Sequence, residues 1–138
     1  MKGLGEKENL RLIEQLHRGE SYSQNLLNSG LLTDDTEWWA AGPAEILPWA
    51  GMFRGREAIA RWFKVLNDTM EYFQFEPFEQ IAQRDTVMVL YHAHGRAKST
   101  GQAFKSDIVR IYTVKDGKIV MVRNYYDTAS YVAALRGT

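Results

Sequence analysis

The residues best able to move a proton are Asp107, His92 and His94, with Asn124 as a helper. Asp107 lies in the run Lys105-Ser106-Asp107-Ile108-Val109-Arg110-Ile111, where strand alternation gives it the same face as Val109 and Ile111. A carboxyl on an apolar wall is desolvated, which disfavours its charged form and raises its pKa toward that of a working acid or base. The competing assignment is an ion pair with Lys105 or Arg110 near the sheet's edge. The Asn124 amide can donate to a carbonyl or enolate oxygen. His92 and His94 share a face with Met88, Leu90 and Arg96, so both point into a pocket or both point away from it. Facing inward, a histidine with Asp107 makes an acid and base pair suited to shifting a proton alpha to a carbonyl. Two histidines two apart on a strand, without a certain third ligand, are thin evidence for a metal, and no metal is expected.

Strands and helices must hold these groups. Residues 6 to 18 place Leu10, Ile13, Leu16 and His17 on one stripe among charges, an amphipathic helix ended by Gly19 whose charged residues form a solvated face. Ser21 caps a short helix through Tyr22, Leu26 and Leu27, stopped by Gly30. Stretches 36–41 and 45–53, separated by Gly42-Pro43, read as a short rim hairpin. Residues 56–70 carry Ala58, Ile59, Trp62, Phe63, Leu66 and Met70 on one face, which predicts a helix packed on a sheet. Runs 71–82, 86–98, 103–114 and 118–126 are β-rich, with turns at Arg84-Asp85, Ser99-Thr100-Gly101 and Lys115-Asp116-Gly117. Asp127 caps a last helix through Leu135, stopped by Gly137. Helices followed by an antiparallel meander predict an α+β fold.

The 138 residues suit one domain spanning 1–138, with 45% apolar residues for a core. Lys plus Arg and Asp plus Glu balance at 17 each, so neither nucleic acid nor a membrane surface is an expected partner. There is no cysteine, and the first residues lack the apolar core of a signal peptide, so a cytoplasmic location is expected.

The segment Pro48-Trp49-Ala50-Gly51-Met52-Phe53-Arg54-Gly55-Arg56-Glu57-Ala58-Ile59, then Ser99-Thr100-Gly101, Asp107, Asp116-Gly117-Lys118-Ile119 and Tyr125-Tyr126-Asp127, resembles the SnoaL-like proteins. These share a superfamily with ketosteroid isomerase, limonene-epoxide hydrolase and nuclear transport factors, and the likeness runs from about residue 8 to residue 136. It implies a cone: a strongly curved antiparallel sheet, cystatin-like or nuclear-transport-factor-like, whose concave face is covered by N-terminal helices. It implies a pocket on the concave side and pairing of the convex side with a second copy, hence a homodimer. By similarity to the hydrolase branch, Asp107 and Asn124 look inward, while Arg110, Tyr112, Arg123 and Tyr125 face a partner or solvent. That branch resembles an Arg-x-Asp, a second Asp and a Tyr-x-Asn, where this chain has Lys105-Ser106-Asp107, Asn124 and Trp39-Ala40-Ala41. With the second carboxylate and the water-positioning Asn gone, epoxide hydrolysis is not expected.

The candidate site is then Asp107, Asn124, His92 and His94 for chemistry, with Trp39, Trp49, Phe53, Tyr72, Val109 and Tyr126 against the ligand. Trp62 and Phe63 fit plain core by their helical spacing. The expected ligand is a small apolar molecule. The first expectation is a cyclase or isomerase acting without a cofactor on a carbonyl compound; the alternatives are a non-catalytic binding protein and a dimeric scaffold filled by its own side chains.

Overall fold

The computed structural model describes residues 5–19 and 21–138, together with the backbone of residues 2–4. Its helices are α1 (Lys2–Leu16), α2 (Tyr22–Asn28), α3 (Arg56–Thr69) and α4 (Thr128–Arg136). Its strands are β1 (Glu37–Ala40), β2 (Gly51–Arg54), β3 (Met70–Gln83), β4 (Thr86–Ala97), β5 (Ala103–Lys115) and β6 (Lys118–Tyr126). They form one curved, unclosed sheet in the order β2-β1-β6-β5-β4-β3. Pairing is antiparallel except between β1 and β6, which run parallel. No helix among the described residues is long and apolar enough to cross a membrane.

The local causes are those the sequence suggests. Asp116 and Gly117 both adopt positive φ, as a two-residue type I′ turn between Lys115 and Lys118 requires. Ser21 accepts from the Gln24 N–H to start α2, and Asp127 accepts from Ser130 to start α4, which ends on left-handed Gly137. In α3 the stripe Ile59, Trp62 and Leu66 is buried, and Glu57 complements the helix dipole in the first turn. The expected rim hairpin becomes the β1–β2 pair, yet its connection is a ten-residue loop, 41–50, that buries Leu47, Trp49 and Ala50.

The helices cover one face of the sheet. That face is read from strict alternation: on β4 Val87, Val89, Tyr91, Ala93 and Ala97 are buried, and on β5 Phe104, Ser106, Ile108, Arg110, Tyr112 and Val114. They meet Ile13, Leu16, Leu26, Ile59, Trp62, Tyr131 and Ala134 from the helices in one core. The opposite face carries Met88, Leu90, Val109, Ile111 and Met121, all partly exposed.

β3 is an edge strand. It is irregular, with register shifts at Tyr72/Gln74 and Pro77/Glu79. The first shift lies where Gly95 of β4 crosses β3 so closely that an added Cβ would sit 2.1 Å from the Glu71 carbonyl oxygen. This crossing sets Tyr72 and Phe75 over the helix-covered face, where both border the cleft described next.

Candidate functional site

Between α2, α3 and β3 lies a cleft of about 310 Å³, at the small end of the range for ligand pockets. Its walls are Tyr22, Trp62, Phe63, Leu66, Tyr72 and Phe75; Ser21, Ser23 and Asn67 add polar groups, and Arg110 is its charged residue. A smaller void of about 20 Å³, room for about one water, shares Arg110 and continues toward Asn124, Tyr126 and Trp49.

Arg110 is 3% exposed. Its Nε donates to Asn124 Oδ1 at 2.5 Å, and Asn124 Nδ2 donates to the Trp39 carbonyl at 2.9 Å, which fixes the orientation of the amide. The guanidinium carbon lies 5.0 Å from the ring centre of Tyr22, 5.1 Å from Tyr91, 5.2 Å from Trp38 and 5.7 Å from Phe75. Cation–π attraction offsets part of the desolvation cost of this charge. Among the described residues, no carboxylate pairs with it. Burial works against the Arg110 charge, but the Tyr91, Tyr22 and Tyr112 hydroxyls around it outweigh that, and its pKa lies above the ordinary arginine value.

Those hydroxyls form a chain. Tyr22 and Tyr112 are 2.5 Å apart, Tyr112 and Tyr91 3.3 Å, and Tyr91 lies 2.5 Å from His17 Nε2. His17 Nδ1 is 2.9 Å from the Ile13 carbonyl, an acceptor, so Nδ1 carries the proton and Nε2 accepts from Tyr91. Burial, with a smaller push from Arg110, lowers the His17 pKa to about 4, so the ring is neutral near pH 7. Burial pushes the Tyr22, Tyr91 and Tyr112 hydroxyls upward, and these stay protonated.

Four of the ten sequence-predicted site residues border this interior. Asn124 is buried against Arg110, Tyr72 lines the cleft and bonds Tyr131 at 2.8 Å, and Trp49 Nε1 donates to Tyr126 Oη at 2.8 Å. Tyr126 donates onward to the Ala41 carbonyl, so its hydroxyl is already bonded to backbone; burial pushes it up to about 12.

The expected inward face of Asp107 is corrected. Asp107 pairs with His92 across β4 and β5, while Arg110 is the residue opposite Asn124, so Asn124 shares its face with Arg110 and not with Asp107. The Asp107 side chain is 69% exposed and is bonded by His92 Nδ1 at 2.7 Å. His92 lies flat on Phe78 at 4.0 Å, and His94 meets the edge of Phe73, both outside the cone. Val109 is on that outer face too, as is Trp39, which packs on Tyr125 at 5.2 Å. Phe53 packs half-buried at the sheet's far end, opposite Trp38, and borders neither cavity. Arg110 and Tyr112, expected outside, are inside; Arg123 and Tyr125 do face out. The parity of β6 also slips at a bulge beside Thr113 and Val114, which leaves Val120 42% exposed although Val122 is buried.

Arg110, Tyr22, Tyr91, Tyr112 and His17 are thus the residues that reasoning from sequence missed. The available signal was the alternation of Arg110 with Phe104, Ile108, Tyr112 and Val114, and the place of His17 on the Ile13 stripe.

A curved, unclosed sheet covered by helices on one face is a fold shared with known proteins, and the comparisons give the chain its family. The family model of the SnoaL-like domain matches residues 29–122, and the chain belongs to that family. An NTF2-like protein from Burkholderia xenovorans LB400 is 31% identical, with 94% of this chain and 96% of that one covered and a TM-score of 0.79. A proposed isomerase from Rhodopseudomonas palustris shares the fold at 18% identity, 93% and 95% coverage and a TM-score of 0.72. A proposed SnoaL-like polyketide cyclase from Mesorhizobium loti does so at 20% identity, 91% and 100% coverage and a TM-score of 0.66. No curated protein matches the chain.

Proposed function

We propose that the cleft binds a small, largely apolar, carbonyl-bearing molecule and moves a proton on it without a cofactor, as a cyclase or isomerase does. The observation that carries this is the buried Arg110 at an aromatic-walled cleft, backed by hydrogen-bonded tyrosines. A fixed cation in a water-poor site favours negative charge as it develops on a carbonyl oxygen. In the step envisaged, the bond from the α-carbon to hydrogen breaks and its electrons move onto that oxygen. The proton passes to Tyr22 Oη, Tyr22 and Tyr112 each hand their own proton along, and Tyr91 gives its proton to His17 Nε2. His17 is the terminal acceptor of this path, and the same path run backward returns the proton to a different carbon. The outer face, with Leu90, Val109 and Ile111 partly exposed, is the surface this proposal assigns to a second copy of the chain.

One observation favours a second reading, that the protein holds its ligand without transforming it. Among the described residues, no carboxylate lines the cleft, and its relay ends on a weak base. Deuterium exchange at the α-carbon of 2-tetralone, followed by NMR, separates the two. Exchange above the buffer rate that is lost in Arg110→Met supports proton transfer. Binding without exchange leaves the holding role, and no binding removes both.

A further inference from the structure

Arg110 is 3% exposed, and among the described residues no carboxylate pairs with it. Its Nε donates to the neutral amide of Asn124, and its other close neighbours are four aromatic rings and the uncharged hydroxyls of Tyr22, Tyr91 and Tyr112. A charge so placed is costly unless something of opposite sign completes it. The Trp38 indole N–H, on one of those four rings, is fully buried and has no acceptor. The floor thus holds a cation and a free donor, and among the described residues no anion answers them. Ser21, Ser23 and Asn67 belong to the same cleft, and among the described residues no acidic side chain lines it. The walls are flat rings, which favour a flat guest.

We infer that the cleft takes a ring-bearing organic anion whose negative charge is delocalised over oxygen, as in an aromatic carboxylate or the enolate of a cyclic dicarbonyl, with Arg110 as its counter-ion. The inference rests on the cleft being the ligand site and adds to it the charge of the ligand. Planar oxygen anions match the guanidinium fork, which offers paired N–H donors that an ammonium cannot. The arriving anion supplies the missing charge, so a neutral molecule of equal shape binds more weakly. Arg110 borders the cleft together with Tyr22, Trp62, Phe63 and Phe75, so an anion paired with it has these rings for walls.

Benzoate, the enolate of cyclohexane-1,3-dione and neutral benzamide are the probes, titrated calorimetrically into the full chain and into Arg110→Met. At least one anion should bind tenfold or more tightly than benzamide, and this preference should vanish in Arg110→Met while benzamide still binds. The tighter of the two anions tells carboxylate from enolate. Equal affinity for all three would overturn the inference and leave the pocket intact; no binding of any probe overturns both. If Arg110→Met does not fold, a crystal structure of the unaltered chain with 4-bromobenzoate decides. The bromine signal with the carboxylate on Arg110 supports the inference, and bromine elsewhere defeats it.

Discussion

Tyr91 and His17, 74 residues apart in the chain, are joined at 2.5 Å through a hydroxyl and a ring nitrogen. That bond ties the chain just past α1 to β4, while the Ile13 carbonyl at Nδ1 fixes the tautomer.

A pH dependence follows from His17. Its folded pKa of about 4 lies below the ordinary histidine value of 6.5, so between those values the unfolded chain binds the proton and the folded chain does not. The stability His17 confers is complete above pH 6.5 and is lost as pH falls toward 4, with a loss on the order of 3 kcal/mol at most. Arg110 and the tyrosines facing His17 keep their protonation across this window. Urea titrations at pH 7 and pH 4.5 should show the drop, and His17→Gln should flatten it. An equal slope in the variant would remove His17 as the cause.

Asp107→Asn should leave probe binding and α-proton exchange unchanged, with a stability change below about 1 kcal/mol, because its bond to His92 lies in solvent. A large loss of exchange in this variant would restore the carboxylate to the chemistry and displace Arg110.

The polar floor should be coupled. Asn124→Leu strands the Arg110 Nε and the Trp39 carbonyl, at a cost of about 2–3 kcal/mol. Adding Arg110→Met removes the stranded charge and should recover half of that or more. Chemical denaturation of the four members of the cycle measures it; simple additivity would mean the two side chains act independently.

Gly95→Ala should cost about 3 kcal/mol or more, since the new methyl group meets backbone rather than a side chain that can turn away. A thermal midpoint within a few degrees of the unaltered protein would show that β3 and β4 can part here.

Sedimentation should give a dimer, and Ile111→Glu, on the outer face and away from the cleft, a folded monomer. A monomeric unaltered chain would leave the outer face unassigned.

The elements were legible because their signals are local. Asp116-Gly117 demands one turn type, Asp127 and Gly137 bracket α4, and the Ile59, Trp62, Leu66 spacing needs no partner to be read. The site was less legible because it depends on which face of β5 turns inward. Val109 and Ile111 are as apolar as Ile108 and Val114, since both faces of this sheet are apolar, and hydropathy alone cannot choose between them. Resolving it takes the pairing of Arg110 with Asn124, a contact across strands that no single strand encodes. The charged Arg110 looked like the surface residue and Asp107 the buried one; a box of four rings reverses that, and those rings come from α2, β1, β3 and β4.

The irregular edge strand β3 has one more consequence. An exposed edge of such length, with Phe73, Phe78 and Ile81 showing, offers unpaired backbone to any passing strand and invites growth into fibrils. Pro77 withholds one donor from that edge, the two register shifts twist it away from straight pairing, and Glu76 and Glu79 add charge beside the break. The two distortions of β3 thus also work against straight pairing of this edge with another sheet.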